Sequence, residues 1–537
     1  MAAVSGASCY CPFGSNVVGS QAVVSIVLSA RDGYRKGHMP AGRRFASVVA
    51  AASAAVVPVV LTGTAGAVAA VHAVGTVGTS GAGTWGAALT PPGLSALEQG
   101  VGPASSAVSV VSCATANNCS AAGYYPSRAS QGGGNLAGYV VNEVHGTWRN
   151  VIKIAGITLS PRGGGTVQPM SVSCAEAGEC SVVGDYEAAP SAPYHAFITS
   201  EVHGTWHAAT AVPGIVALDH GGNAELGSVS CTSPGNCSAG GGYSASTGIG
   251  QAFVVDEIHG IWHTAVTVPG ITGLNHGRAA ITSISCVSPG NCSAGGEYQD
   301  NVRRTQVFAV NEVNGTWHKA IAIPGIVGLN PGGFAVVASV SCASAGNCSA
   351  GGTYTDGSKH EQAFIVNQVN GTWHDAIKVP GTTALEQGGG AGLNSVSCAS
   401  VGNCSAGGYY NSGAFVVNEV NGIWHHAINV PGTVAVDQYS VGGVAAVSCA
   451  APGNCSAGGT FRSPRDPLGH EDAFVVNEVN GTWHTAIAVP GLARLSQSGS
   501  AHFYPLSCGA VANCSAGGIY DFADNPANEQ AFLVSEK

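Results

Sequence analysis

Ser339–Tyr354, SVSCASAGNCSAGGTY, followed seven residues later by Gln362–Gly381, QAFIVNQVNGTWHDAIKVPG, decides how this chain folds. Its apolar and polar residues alternate in runs too short for helices, which reads as four short strands: A (SVSC), B (CSAGGxY), C (AFIVNQV) and D (TWHxAIxVP). Asn370 and Gly371 stand between C and D and tolerate the positive φ of a type I′ turn. Strand D ends at Pro380 and Gly381, where proline withdraws a donor and glycine permits a sharp bend.

Working outward, the same segment recurs with a period of about 51 to 61 residues, in the range of propeller blades. Its copies are counted by paired cysteines: Cys113 and Cys119, Cys174 and Cys180, Cys231 and Cys237, Cys286 and Cys292, Cys342 and Cys348, Cys398 and Cys404, Cys449 and Cys455, Cys508 and Cys514. These define units 1 to 8. The first recognisable element, at Thr84 and Trp85, is a strand D without its unit, and the last, Gln530–Lys537, is a strand C without its D. The N-terminal strand can therefore complete the eighth unit. The expectation is all-β: an eight-bladed β-propeller of four-stranded blades over residues 83–537, closed by the N-terminal strand on the C-terminal blade, so that no sheet edge needs a cap.

Composition agrees with this. Charged residues are 9% of 537, glycine holds 79 positions and mean hydropathy is +0.22, unlike a protein of charged amphipathic helices. The net charge of −10 is thinly spread and the repeats hold no basic run, which argues against nucleic acid as a partner. Before the repeats, Arg43 and Arg44 precede an apolar run and a small-residue tail, TAGAVAA, the form of a secretory signal over residues 39–70 with a linker at 71–82. Residues 1–38 have no place in such a signal, so Met39 is the expected start and the preceding stretch a spurious extension. A membrane anchor is the rival reading, but Pro58 and Gly63 interrupt the run. The mature chain is expected to be secreted or at the cell surface, monomeric and without stable membrane insertion.

The SVSC, CSAGG, AF and GTW blocks resemble the secreted propeller repeats of actinobacterial extracellular proteins. They are also similar to HAF-type extracellular repeats, whose tripeptide stands here as His195, Ala196 and Phe197. The resemblance implies architecture and export and brings no catalytic residue with it. The Asp-box string of sialidase-like propellers, SxDxGxTW, occurs in no unit.

In an oxidising compartment, two cysteines six apart across an A–B hairpin can meet as a cross-strand disulfide, so eight local bridges are expected. Thiolate metal sites want Cys pairs two to four apart with a second pair nearby, and neither a metal nor a cofactor is expected. The histidine after the tryptophan in units 2 to 7, from His207 to His484, reads as a solvated strand position. The repeated Asn-Cys-Ser matches a glycosylation acceptor, but turn chemistry explains it better. Six residues beyond the second cysteine stands an aromatic in every unit: Tyr125, Tyr186, Tyr243, Tyr298, Tyr354, Tyr410, Phe461 and Tyr520. Such a ring is either packing between blades or a stacking surface for sugars or peptides.

The A–B and C–D links are uniform, whereas the B–C and D–A connections vary and lie at the other end of the unit. Recognition is usually carried by variable loops, which makes Arg303, Arg304, Arg462 and Arg465 ligand-binding candidates beside the aromatics. A carboxylate repeats before the C–D turn at Glu143, Glu201, Glu257, Glu312, Glu419 and Glu478, with Gln368 in unit 5, and reads as a solvated strand charge. No serine elbow, phosphate loop or zinc-protease string appears in the repeats. The reading is a non-enzymatic protein binding extracellular glycan or protein. A glycan-active hydrolase or lyase and a structural surface protein are the alternatives.

Overall fold

The computed structural model describes residues 83–99, 105–128, 134–244, 248–411, 413–433, 442–462, 470–496, 499–522 and 525–537. The expected start, signal and linker, together with Arg465, lie outside the described residues.

Unit 5 shows the repeat. Strand A (Ala335–Ser344), strand B (Asn347–Thr355) and strand C (Glu361–Val369) pair antiparallel in that order. Strand D is interrupted, with Thr372–Trp373 and Ile377–Lys378 pairing separately with strand C. The break falls at His374, so the histidine is exposed as expected but sits between strand segments. Asn370 and Gly371 have φ of 49° and 82°, the turn their residue types called for. Gly371 N donates to Gly346 O, which ties the C–D turn to the A–B turn. Asn347 of the Asn-Cys-Ser string bonds Ser344 Oγ and accepts from Asn370 N, a turn-stabilising role. After Pro380, Gly381 at φ +86° starts the short helix Thr382–Glu386 that leads to the next unit.

Of the two glycines in CSAGG, only the second is dictated by geometry. Strand A bulges between Val337 and Ser339, and the displaced carbonyl of Val336 would lie 2.0 Å from a Cβ at Gly352. Units 1 and 2 replace the first glycine by Ala122 and Val183 but keep Gly123 and Gly184.

The described residues are all-β, in repeated antiparallel sheets whose form and paired cysteines fit a propeller repeat protein. They form seven sheets rather than eight, because a parallel bridge between Leu136 and Thr166 merges units 1 and 2 into one sheet of ten strands. Unit 8 has three strands of its own. The N-terminal segment lies antiparallel to its strand C, Trp85 bridging Glu536 and Leu89 bridging Leu533. All eight expected disulfides are present, each between residues directly opposite on strands A and B.

Core clusters form between units. Val307 and Ala309 of unit 4 pack with Val337, Val340, Phe364 and Trp373 of unit 5. A polar thread accompanies this packing: the serine before the first cysteine of each unit accepts from the backbone N–H of the next unit's first cysteine. Examples are Cys342 N to Ser285 Oγ at 3.0 Å and Cys398 N to Ser341 Oγ at 3.0 Å. The thread also runs from unit 1 back to unit 8, Cys113 N to Ser507 Oγ at 3.0 Å.

Candidate functional site

The carboxylates expected to be solvated are buried, and this is the main correction to the sequence reading. Glu143, Glu201, Glu257, Glu312, Glu419 and Glu478 are at most 7% exposed, as are Gln368 and an eighth member, Glu536. Each faces the preceding unit. Asn367 of unit 5 donates Nδ2 to Glu419 of unit 6, Asn418 to Glu478, and Asn477 to Glu536. The same asparagines accept from the next unit's tryptophan: Trp424 Nε1 to Asn367 Oδ1 at 3.0 Å, Trp483 Nε1 to Asn418 Oδ1 at 2.9 Å. A serine of strand B completes the set, as Ser405 does with Glu478 at 3.1 Å. Ser, Asn, Glu and Trp thus form an interunit latch. Between units 8 and 1 Ser535 replaces the asparagine: it bonds Glu143 at 3.0 Å, beside the strand B serine Ser515 at 2.9 Å, and accepts from Trp148.

Burial raises the carboxyls of Glu201, Glu257, Glu312, Glu419, Glu478 and Glu536. Glu257 and Glu312 are both pushed up to about 7, chiefly by desolvation, with Glu179 adding repulsion at the first and Asp256 at the second. Glu201 is pushed to about 6 by burial, against the bond from Asn142. These groups hold the scaffold together. The signal for this was present, since Asn-Glu places two polar residues in succession on an alternating strand and so interrupts its period of two.

The aromatic set divides in the same way. Tyr125, Tyr298, Tyr354, Tyr410 and Tyr520 are buried, which removes them from any stacking surface; Tyr186, Tyr243 and Phe461 are half-buried. Several pack on the Phe of the AF block or its equivalent: Tyr298 on Phe308 with centroids 6.5 Å apart, and Phe461 on Phe474 at 6.0 Å. Arg303 and Arg304 are exposed on the B–C turn of unit 4, whose backbone Asp300 organises by accepting from Arg304 N at 2.8 Å. Arg462 is half-buried in unit 7, three units away.

At the variable-loop end, polar groups converge in one sector. Tyr243, Glu225, Arg278 and Glu297 line a pocket between units 3 and 4 with 80 Å³ of internal space. Arg278 forms a 2.6 Å ion pair with Glu297, and the Tyr243 hydroxyl lies 2.8 Å from Thr267 Oγ1. Nearby Asp185, 5% exposed, has its carboxyl held well above the usual range by burial and by Glu225. Sequence reading found Tyr243 but not its companions, because each unit differs at these positions. Among the described residues no group of three or more His, Cys, Asp or Glu is placed to hold a metal, and no helix is long and apolar enough to cross a membrane.

No family model matches the sequence, and no curated protein matches it. Similar solved structures include an ulvan lyase of polysaccharide lyase family PL25 (TM-score 0.41, 11% identity, 81% of this chain and 95% of that one). The lectin BP39L from Burkholderia pseudomallei gives a TM-score of 0.38 at 14% identity, over 72% and 99% of the two chains. The propeller domain of the Trilobed protease from Pyrococcus furiosus gives 0.37 at 7% identity, over 71% and 97%.

Proposed function

We propose that this chain is a secreted, closed eight-bladed propeller that binds an extracellular carbohydrate or protein at its variable-loop face without chemical turnover. Closure is supported by the serine–cysteine thread, which returns from unit 1 to unit 8, and by the pairing of Trp85 and Leu89 with the C-terminal strand. Eight intrachain disulfides fit an oxidising extracellular environment.

The observation that carries the binding reading is the pocket between units 3 and 4. A half-buried tyrosine offers an apolar face and a hydroxyl beside a paired arginine and glutamate, a combination suited to a polyhydroxylated or peptide ligand. Asp185 beside Glu225 favours a second reading, a glycan-active hydrolase or lyase, because a carboxyl pushed up by burial and by a neighbouring carboxylate is the arrangement general-acid chemistry uses. A glycan array and polysaccharide pull-down on oxidised residues 72–537, with products assayed on the same panel, separates the two. Binding without products that is lost in Arg278→Ala and Tyr243→Ala supports the proposal. Products lost in Asp185→Asn replace it with the hydrolase, and silence on both leaves a protein-binding or structural role.

A further inference from the structure

Units 1 and 5 carry a lysine at the second residue of the outer strand D segment, where units 2, 3, 4, 6 and 7 have Ala211, Thr267, Ala322, Asn429 and Ala488. Lys153 lies opposite Tyr139 of strand C, as Lys378 lies opposite Phe364. The two differ in what meets them. Lys378 Nζ is held 2.6 Å from an oxygen of Glu386, at the end of the short helix that leads to unit 6. Counted from the glycine that follows strand D, Gly381 in unit 5 and Gly156 in unit 1, the place of Glu386 falls to Pro161. No helix forms over residues 157–161, and they include no carboxylate. Lys153 is exposed and has no hydrogen-bond or ion-pair partner among the described residues.

A cavity of about 210 Å³ opens where that carboxylate is lacking, lined by Lys153 and Pro161 together with Ser127, Asn135 and Ser160. Ser127 and Asn135 flank the B–C connection of unit 1 and Ser160 belongs to the D–A connection, which places the cavity at the variable-loop end. Its described lining residues include one cation and no carboxylate, so an anion is the complementary charge. Ser160 N donates to Ala188 O, its carbonyl accepts from Asn135 Nδ2 and its Oγ accepts from Arg162 N, which leaves its hydroxyl proton to donate.

We propose that this cavity is a binding site for a hexuronate sugar, whose carboxylate takes the place beside Lys153 that Glu386 takes beside Lys378. The site shares the variable-loop face with the pocket at Tyr243 but none of its residues, and it rests on the carbohydrate reading above for the choice of a sugar. Unit 5 shows that a carboxylate suits a lysine at this position. A hexuronate carries hydroxyls next to its carboxylate, which the serines and the amide around Lys153 can meet, whereas an aspartate or glutamate side chain carries only methylenes there.

The test is calorimetric titration of glucuronate, glucose, glutarate and inorganic phosphate into the oxidised protein at neutral pH. Glucuronate should bind saturably, and glucose, which lacks the carboxylate, at least about tenfold more weakly, the worth of one charge-assisted hydrogen bond. Lys153→Met keeps the methylene stem, removes the charge and should weaken glucuronate at least about tenfold. Lys153→Arg should retain binding, and Lys319→Met, at an exposed lysine of unit 4, should leave it unchanged. Glucose, glutarate or phosphate binding as tightly as glucuronate overturns the proposal. So does glucuronate binding that survives Lys153→Met, or no saturable heat in protein whose melting transition shows it folded. The pocket at Tyr243 fails separately, because Arg278→Ala and Tyr243→Ala should leave glucuronate binding at Lys153 intact.

Discussion

Replacing Asn367 by alanine tests the latch. Its Oδ1 accepts from Trp424 Nε1 and from Ser349 Oγ, both at 3.0 Å, and its Nδ2 donates to Glu419, 3% exposed. Alanine strands a buried indole N–H, at about 1–2 kcal/mol, and removes a charge-assisted bond to a buried carboxyl, at about 1.5–3 kcal/mol. Ser349 retains a sulfur neighbour at Cys404, so its loss adds little. Water entering the vacated space offsets part of the sum, and a net destabilisation of about 3 kcal/mol is expected. The assay is urea unfolding followed by tryptophan fluorescence with disulfides intact. Asn367→Asp is the informative control. Like Asp256 beneath Trp317, it keeps an acceptor for the indole but cannot donate to the glutamate when ionised. It sets two carboxyls face to face, so the folded state takes up a proton that the unfolded state does not, and the deficit must shrink as pH falls. A loss under about 0.5 kcal/mol for alanine, or a pH-independent deficit for aspartate, would refute the latch as the source of interunit stability.

Other consequences follow from the same contacts. Because burial pushes Glu257 and Glu312 up to about 7 from the ordinary carboxylate value of 4.5, the folded state binds more protons across that interval. Stability should therefore decline as pH rises from 4.5 to about 7, and pH-dependent denaturation of the double variant Glu257→Gln, Glu312→Gln should show a shallower decline. Trp85→Ala removes a 6%-exposed side chain that bonds Asn477 and should cost about 3–5 kcal/mol in the same urea assay if the N-terminal strand closes the eighth unit; a negligible effect would mean that it does not. Replacing Cys342 and Cys348 by serine opens a loop of sequence separation 6, for which chain entropy gives about 2.4 kcal/mol, measurable as a lowered urea midpoint with unchanged slope.

What the sequence determined by itself is local. Alternation set the strands, Asn-Gly and Pro-Gly set the turns, and cysteines six apart across a hairpin set the disulfides, because in each case the interacting residues are neighbours along one unit. Even the split strand D leaves the tryptophan and its histidine on the expected sides. Tertiary structure decided what depends on the next unit. Glu419 reads as a surface charge until its partner, Asn367, 52 residues earlier, is brought against it. Tyr243 and Tyr354 carry the same motif position yet differ in exposure, because the neighbouring units cover them differently. Ser200 and Ser535 stand at the same repeat position, and only the tertiary structure shows that Ser535 bonds Trp148 and Glu143 while Trp262 finds no acceptor beside Ser200. The physical reason is the same throughout: hydrogen-bond geometry within a hairpin is fixed over a few residues, whereas burial and pKa belong to an interface whose two sides lie about a full repeat apart.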